Sequence, residues 1–501
     1  MIQKKFIKLG LFFLIVFGIF ARVWHFGSIP VSLYWDEVAI GLDAQSLAQT
    51  GHDINNQSWL QPLFYSYGDY KAPVYILFTS LLAKVLPVSE TLVRLPSLMA
   101  GLFSGVVLFL LVKLLSPKKS LLPLLVLASY SVMPWSIHFS RIAMESHLSM
   151  FLLLLSVYLA ILSSYSKKPW LLLLSALSAS LGIYTYISLR VIVPIMHLIT
   201  FILFNKKSKK SLIYFLFGIL LITASIIFLI KSPNYQASQD YRLSNDNLIT
   251  STTHIEKSVA AQTNPNLLIS RIINHRYLYK LEDYTTNYLS HFSAQFLLFT
   301  GDQNLRHHSG FGGQLLLVQG IFLILGLFAL FTKVNKKTRY LIISWLLLSP
   351  IISALVNEVP HASRSIYLII PLAWLVGLGL SQLKPKLLYI SLLALLINLF
   401  LFSHYYFNHC PQASLEAWVN PYKQAALFIK DNPSNKDIYV TNQFYQPGLY
   451  FKFYAGKQIK ELSNTCPQNA LCITTPEWQS EITSLVSTIP GTTQLVIKQS
   501  L

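Results

Sequence analysis
Apolar runs of roughly 18–22 residues recur along most of this chain, each long enough to cross about 30 Å of hydrocarbon. Short polar loops separate them. Lipid offers no hydrogen-bond partners, so such runs must satisfy their backbones internally, as helices. Composition agrees: 53% of the 501 residues are hydrophobic and 12% are charged, against about 25% charged in a typical soluble domain. The first run, from Phe6, follows Lys4, Lys5 and Lys8. It has no clear small-residue cleavage site and further runs follow it, so it reads as a retained signal anchor.

The net charge of +19 raises the question of nucleic acid, but its location answers otherwise. The Lys clusters lie in short loops between apolar runs: Lys118-Lys119, Lys167-Lys168, Lys206-Lys207 with Lys209-Lys210, Lys333 with Lys336-Lys337, and Lys384 with Lys386. That is the signature of cytoplasmic loops in a membrane protein. No basic stripe with interleaved aromatics accompanies it, so no nucleic-acid partner is expected.

These loops set the topology. With Met1 inside, the first span emerges near Phe26 and a polar stretch runs to Tyr70. The next apolar piece, Val74 to Val85, is short and is followed by Pro87. If it crossed, every later Lys loop would be inverted. If it is re-entrant or interfacial, all of them fall inside. Spans are then expected at 92–114, 121–138, 148–165, 169–187, 191–205, 211–230, 314–332, 339–356, 364–381 and 386–404. The expectation is an α-helical polytopic membrane protein with about eleven crossings. Residues 1–404 form the transmembrane part, with a first outer loop at 27–91 and a long outer loop at 231–313.

The tail, 405–501, has soluble polarity and an alternating pattern. Helices are expected at Tyr422–Lys430 and Pro447–Tyr454, and strands at Asp437–Thr441, Ala470–Thr474 and Gln494–Lys498. This makes a small extracytoplasmic α/β domain. Of the three cysteines, Cys466 and Cys472 are closest in sequence. An oxidising face permits one disulfide, and free thiols are the alternative.

Most polar constellations fall on the outer face. Asp36-Glu37 in Tyr34-Trp35-Asp36-Glu37 is either an acidic pair ending a helix or a general base with a positioning or metal-binding neighbour. Lys71, in Gly68-Asp69-Tyr70-Lys71-Ala72-Pro73, either snorkels to headgroups or holds a phosphate. Arg141 and Glu145 in Ser140–His147 are spaced to pair on one helical face, or to orient substrate. His361-Ala362-Ser363-Arg364 opens a span, where arginine suits a fork-like grip on phosphate. Gly301-Asp302-Gln303-Asn304-Leu305-Arg306-His307-His308 reads as a loop covering a site. No HExxH, P-loop or GxSxG motif supports ATP coupling or serine hydrolysis.

In order, the segments YWDEVAIGLDAQSLAQTGHD, YKAPVYILFTSLLAKVLPVSETLVRLPSLMAG and SRIAMESHLSMFLLLLSVYLA resemble GT-C integral-membrane glycosyltransferases. The match is to the bacterial branch of the protein O-mannosyltransferase and aminoarabinose transferase superfamily. FLLFTGDQNLRHH, HASRSIYLIIP and the α/β tail extend it. The resemblance implies an inverting transfer of sugar from a polyprenyl-phosphate donor, at the outer face of the cell membrane, to a lipid, glycan or protein acceptor. It assigns Asp36 as the catalytic carboxylate with Glu37 in support, and Lys71 on the donor phosphate. Arg364 and His361 join the phosphate site; Arg141, Glu145 and Asp302 remain candidates for the substrate site. A divalent metal is a candidate cofactor. Here the chain departs from the aminoarabinose branch, which places Glu before this lysine where Tyr70 stands, and that puts the branch's metal site in doubt. The loop 231–313 is too short for the MIR-type insert of the protein-mannosylating branch. A transporter of lipid-linked sugars is the alternative; it would carry inverted repeats and midplane charges, and neither is evident.

Overall fold
The computed structural model describes residues 2–500 except 206–208, 245–247, 249–250, 262–267, 357, 464, 478–482 and 493. Helices dominate. In chain order they are α1 (Ile2–Val23), α2 (Trp35–Thr50), α3 (Pro73–Ala83), α4 (Glu90–Leu115), α5 (Leu122–Ser131), α6 (Pro134–Phe139), α7 (Glu145–Tyr165) and α8 (Leu171–Ile183). Then come α9 (Leu189–Phe204), α10 (Lys209–Ile230), α11 (Pro233–Ser244), α12 (Thr253–Ala261), α13 (Leu268–Ile273) and α14 (Arg276–Ser290). The bundle closes with α15 (Leu317–Lys333), α16 (Lys336–Leu348), α17 (Ile369–Leu380) and α18 (Pro385–Asn408). Among the described residues, six helical segments are long and apolar enough to cross a membrane: Lys5–Val23, Glu90–Leu115, Glu145–Tyr165, Lys209–Ile230, Lys336–Leu355 and Pro385–Asn408.

The local sequence explains several boundaries. Ser89 caps α4, its hydroxyl accepting the Leu92 N–H at 3.2 Å. Pro73 opens α3, where its missing N–H costs nothing. At 11 residues, α3 is about 16 Å long, half of what a crossing needs. One expectation is corrected. The run at 121–138 is not one helix: it breaks into α5 and α6 at Met133, whose backbone is extended before Pro134. A residue preceding proline is driven out of the helical region, and proline has no N–H to continue the ladder. Likewise the run at 339–356 leaves the α-helix after Leu348 and ends in a 3₁₀ turn at Ser353–Leu355.

Close helix packing relies on small residues. A Cβ on Gly326 would sit 1.9 Å from the Leu375 carbonyl oxygen, and one on Gly379 2.0 Å from that of Phe322. These glycines let α15 and α17 touch backbone to backbone. At one end of the bundle, buried arginines wire loops to helices. Arg141 donates to the carbonyls of Ala21, Arg22, His25 and Ile29 at 2.8–3.1 Å. Arg22 donates to Gly18 O and Ser131 O, both at 2.7 Å.

The chain after α18 forms a helix, α20 (Asn420–Asp431), preceded by the one-turn α19 (Cys410–Ala413). A five-stranded sheet follows, ordered β4-β3-β5-β7-β6. Its strands are β3 (Asp437–Val440), β4 (Lys460–Glu461), β5 (Ala470–Thr474), β6 (Thr483–Thr488) and β7 (Val496–Ser500); β1 (Phe64–Ser66) and β2 (Asp69–Lys71) form a separate hairpin in the first outer loop. β3 runs parallel to β4 and β5, while β7 is antiparallel to β5 and β6. Cys466 and Cys472 are disulfide-bonded, the pairing the sequence left open. The sheet shares a core with the first outer loop: Val38, Ile40, Tyr75 and Val93 pack with Tyr422, Ile429, Val440 and Ile473. Lys423 bridges Glu90 at 2.9 Å and donates to Val31 O at 2.7 Å.

Candidate functional site
Asp36 and Glu37 open helix α2, where exposed N–H groups favour negative charge. Consecutive residues on a helix diverge by about 100°, and the two carboxylates go separate ways. Asp36 turns outward, its side chain 38% exposed. Glu37 turns inward and is fully buried. There it pairs with Arg94 at 3.1 Å and accepts the backbone N–H groups of Tyr34 and Ala143. Arg94 also donates to the carbonyls of Gly27, Pro30 and Ser32. Glu37 is thus held inside by Arg94, Tyr34 and Ala143, and it is not among the residues lining the cleft.

Lys71 comes to Asp36 on the β1–β2 hairpin. The turn residues Tyr67 and Gly68 both have positive φ, 49° and 93°, the twist that suits a tight hairpin. Lys71 Nζ lies 2.7 Å from Asp36 Oδ1 and also donates to the Asp36 carbonyl at 3.0 Å. A cleft of about 440 Å³ opens beside Asp36, lined by Trp35, Asp36, Ser66, Tyr67, Asp69, Tyr445 and Leu449. Two of those residues come from the C-terminal part. Tyr445, with φ of 67°, presents its ring edge to Trp35 at 5.5 Å.

Glu145 stands at the start of α7, within electrostatic reach of Lys71 and Asp36. Its neighbour Ser146 bonds Ser363 at 2.8 Å, which brings the 361–364 loop alongside. Arg364 is half-buried there, and among the described residues its guanidinium has no partner. The third loop reaches the same place. Arg306 stacks over Trp35 at 4.6 Å and Tyr34 at 5.4 Å, while Asp302 accepts the Ala362 N–H at 2.7 Å. Asp36, Lys71, Glu145, Asp302, His361 and Arg364 therefore gather at one end of the bundle. Arg141 does not join them, a correction to the expectation. Residues 140–144 are not helical, so no Arg141–Glu145 pair forms; the two terminal guanidinium nitrogens donate to the four carbonyls already described, and Nε has no partner among the described residues.

His361 faces Asp302 and His307 rather than the Asp36–Lys71 pair. Its Nδ1 is 4.0 Å from Asp302 Oδ2, and its ring centroid lies 4.6 Å from that of His307. Burial, with His307 and Arg364 adding to it, pushes the His361 imidazole well below its usual range, so it is neutral. A neutral ring brings no positive charge to a phosphate. Burial alone would raise the Asp302 carboxyl. His307, His361 and the Ala362 amide outweigh it and hold the group down at about 2. Donor atoms of Asp302, His307 and His361 lie within 4.8 Å of one another. His307 Nδ1 lies 3.4 Å from Asp302 Oδ2, a contact without hydrogen-bond geometry. One carboxylate and two imidazoles are a donor set that fits zinc.

Reading the sequence missed Arg94, Tyr445 and Asp43. Arg94 carried a signal, a lone arginine inside an apolar run. Asp43 is 1% exposed on α2, with Oδ1 accepting the Ile54 N–H at 3.3 Å and Oδ2 unpartnered among the described residues. Burial pushes its carboxyl up to about 7, against opposing pulls from Ile54 and Lys71. A carboxyl raised in the folded state weakens the fold as pH climbs from about 4 to 7. The shift from 3.8 to about 7 has a ceiling of about 4 kcal/mol. Asp43→Asn is accordingly expected to raise the unfolding temperature at pH 8 and not at pH 4. Equal effects at both would show that Asp43 is ionised in the fold.

No family model matches the chain, and no curated protein matches it in sequence. Among solved structures it is similar to ArnT from Cupriavidus metallidurans in the apo state, with a TM-score of 0.57 at 9% identity over 99% of this chain and 98% of that one. ArnT bound to undecaprenyl phosphate gives 0.55 at 10% identity over 98% and 97%. The Archaeoglobus fulgidus oligosaccharyltransferase in complex with Zn and sulfate gives 0.51 at 11% identity, covering 89% of this chain and 61% of that one. Over nearly its whole length the chain thus carries the GT-C fold that ArnT and the archaeal oligosaccharyltransferase share.

Proposed function
We propose that this protein transfers a sugar from a polyprenyl-phosphate donor to an acceptor at the outer face of the cell membrane, with inversion at the anomeric carbon. The observation that carries this reading is the Asp36–Lys71 pair, a carboxylate and an ammonium 2.7 Å apart, with Asp36 lining an open cleft. That the ArnT fold has been seen holding undecaprenyl phosphate supports the donor class. The Lys-rich loops support about eleven crossings with the cleft outside.

The chemistry follows from charge. As the glycosidic C–O bond to phosphate breaks, the lipid phosphate gains negative charge. Lys71 and Arg364 stabilise that charge where it develops. The phosphate draws Lys71 off Asp36, freeing the carboxylate. Asp36 then takes the proton of an acceptor hydroxyl or amine attacking the opposite face of the anomeric carbon. The acceptor is a lipid, glycan or protein, admitted through the cleft beside Tyr445. Asp302, His307 and His361 would hold a divalent metal, which would supply positive charge at the phosphate end of the site.

The test is to incubate the purified protein with radiolabelled polyprenyl-phosphate sugars and membrane extract, then identify the labelled product. Labelled donor that changes leaflet without forming product would point to a transporter instead. In the same assay Lys71→Ala and Arg364→Ala are each expected to lower donor kcat/KM. Bonds to charged groups are worth roughly 1.5–3 kcal/mol, a loss of about 10- to 150-fold. Wild-type kinetics in both variants would remove them from the site. Metal analysis of protein purified without chelator is expected to find zinc, lost in His307→Ala/His361→Ala. Equal metal content in the two proteins would dismiss the Asp302 cluster as its ligands.

A further inference from the structure
Helix α18 ends in a pair of histidines that the transferase reading does not use. His404 lies in its last two turns and His409 is its C-terminal cap. Both imidazoles are exposed. Their Nε2 atoms face each other at 3.3 Å, with ring centroids 5.2 Å apart and ring planes at 69°. Distance decides between two readings of this pair. An N–H donor usually sits about 2.7–3.2 Å from its acceptor. Two imidazoles aimed head-on across 3.3 Å would also hold their centres about 5.6 Å apart, since each nitrogen lies about 1.15 Å from its ring centre. Two Zn–N bonds of about 2.0–2.1 Å at the tetrahedral angle instead put the nitrogens about 3.3–3.4 Å apart and the ring centres about 5.2 Å apart. The observed 3.3 and 5.2 Å fit the second arrangement.

The rings are held in this pose through other atoms. His409 stacks on Tyr405 at 5.6 Å and 30°, and Tyr405 stacks in turn on Phe311 at 5.2 Å and 28°. Asn408 Nδ2 donates to the His404 carbonyl at 2.8 Å and lies 3.4 Å from His404 Nδ1. Neither support uses an Nε2 lone pair. The position itself favours a cation, because the carbonyl end of a helix carries the negative end of its dipole.

We propose that His404 and His409 bind a zinc ion through both Nε2 atoms, with water completing the tetrahedron. Imidazole donors select zinc and its neighbours copper and nickel over magnesium and calcium, which take oxygen. The ion ties the end of α18 to the residue from which the chain leaves for the C-terminal sheet. Two protein ligands hold it more loosely than three, so it exchanges with the medium and is removed by desalting. The site shares no residue with the Asp302 cluster, and the proposal does not rest on the reaction assigned to the cleft.

A residue-resolved footprint tests it. The purified full chain is desalted, titrated with zinc chloride and briefly treated with diethyl pyrocarbonate, and the modified histidines are located by mass spectrometry. His52, an exposed imidazole outside the pair, is the control. Zinc is expected to protect His404 and His409 with one shared half-point and to leave His52 reactive. Loss of a mere outer-shell partner costs about 10–100-fold in metal affinity, and loss of a ligand costs no less. In His404→Gln the half-point for His409 should therefore rise at least tenfold, and in His409→Gln that for His404 likewise. Both side chains are exposed, so neither substitution empties a core. Failure of zinc to protect either residue would overturn the proposal and leave a hydrogen-bonded pair. Protection of His409 that is unchanged by His404→Gln would overturn it too, as adventitious binding to a single imidazole.

Discussion
Asp36→Asn is expected to cut sugar transfer by about 10²–10⁴-fold, the usual cost of removing a general base, with solubilised yield unchanged. The substitution keeps the shape of the side chain and removes only its ability to take a proton at neutral pH. The fold tolerates it because Asp36 is 38% exposed and lines the cleft, so that water screens its pair with the buried Lys71 from one side. Screening of that kind keeps the pair's contribution to stability modest. Lys71 keeps its bond to the Asp36 backbone carbonyl, so the hairpin stays in place. Donor binding should survive or improve, since Lys71 no longer has a carboxylate to leave. Turnover with labelled donor, set beside a binding measurement with the polyprenyl phosphate alone, separates chemistry from binding. An Asp36→Asn protein of normal yield transferring sugar at the wild-type rate ends the proposed mechanism.

Much of this arrangement was legible before the structure. Apolar run lengths located the helices, because lipid leaves a buried backbone few other solutions. The breaks were less visible: Pro134 was in plain view, but in helix bundles a proline can be absorbed as a kink, so 121–138 read as one span. The site residues were found by their oddity, charges at the boundary of apolar runs. That rule selects residues that cost energy to place and cannot say what offsets the cost. Asp36 and Lys71 offset it with each other at the edge of a cleft. Arg141 offsets it with four backbone carbonyls. From spacing alone the two cases look alike. Tyr445 was invisible for a different reason. It lies more than 400 residues from Asp36 in the chain and reaches the cleft only because the sheet packs on the first outer loop.

Glu37→Gln separates the two neighbouring carboxylates most sharply, and its expected effect is on folding first. Glu37 is fully buried and holds Arg94 in an ion pair of 3.1 Å. Removing its charge leaves a guanidinium buried with only carbonyl oxygens, and breaking such a pair typically costs about 3–5 kcal/mol. The glutamine amide must also replace an acceptor of the Ala143 N–H, in the turn that leads to Glu145. Solubilised yield and unfolding temperature should therefore fall before turnover is considered, the opposite order to Asp36→Asn. Glu37→Gln/Arg94→Gln is the control. With both charges gone no buried ion is left unpaired, so the double variant should recover part of the lost stability. Additive losses in the double variant would mean that the two side chains act independently. A Glu37→Gln protein with wild-type stability and lost turnover would instead move Glu37 from support into the chemistry, and Asp36 would then need a different role.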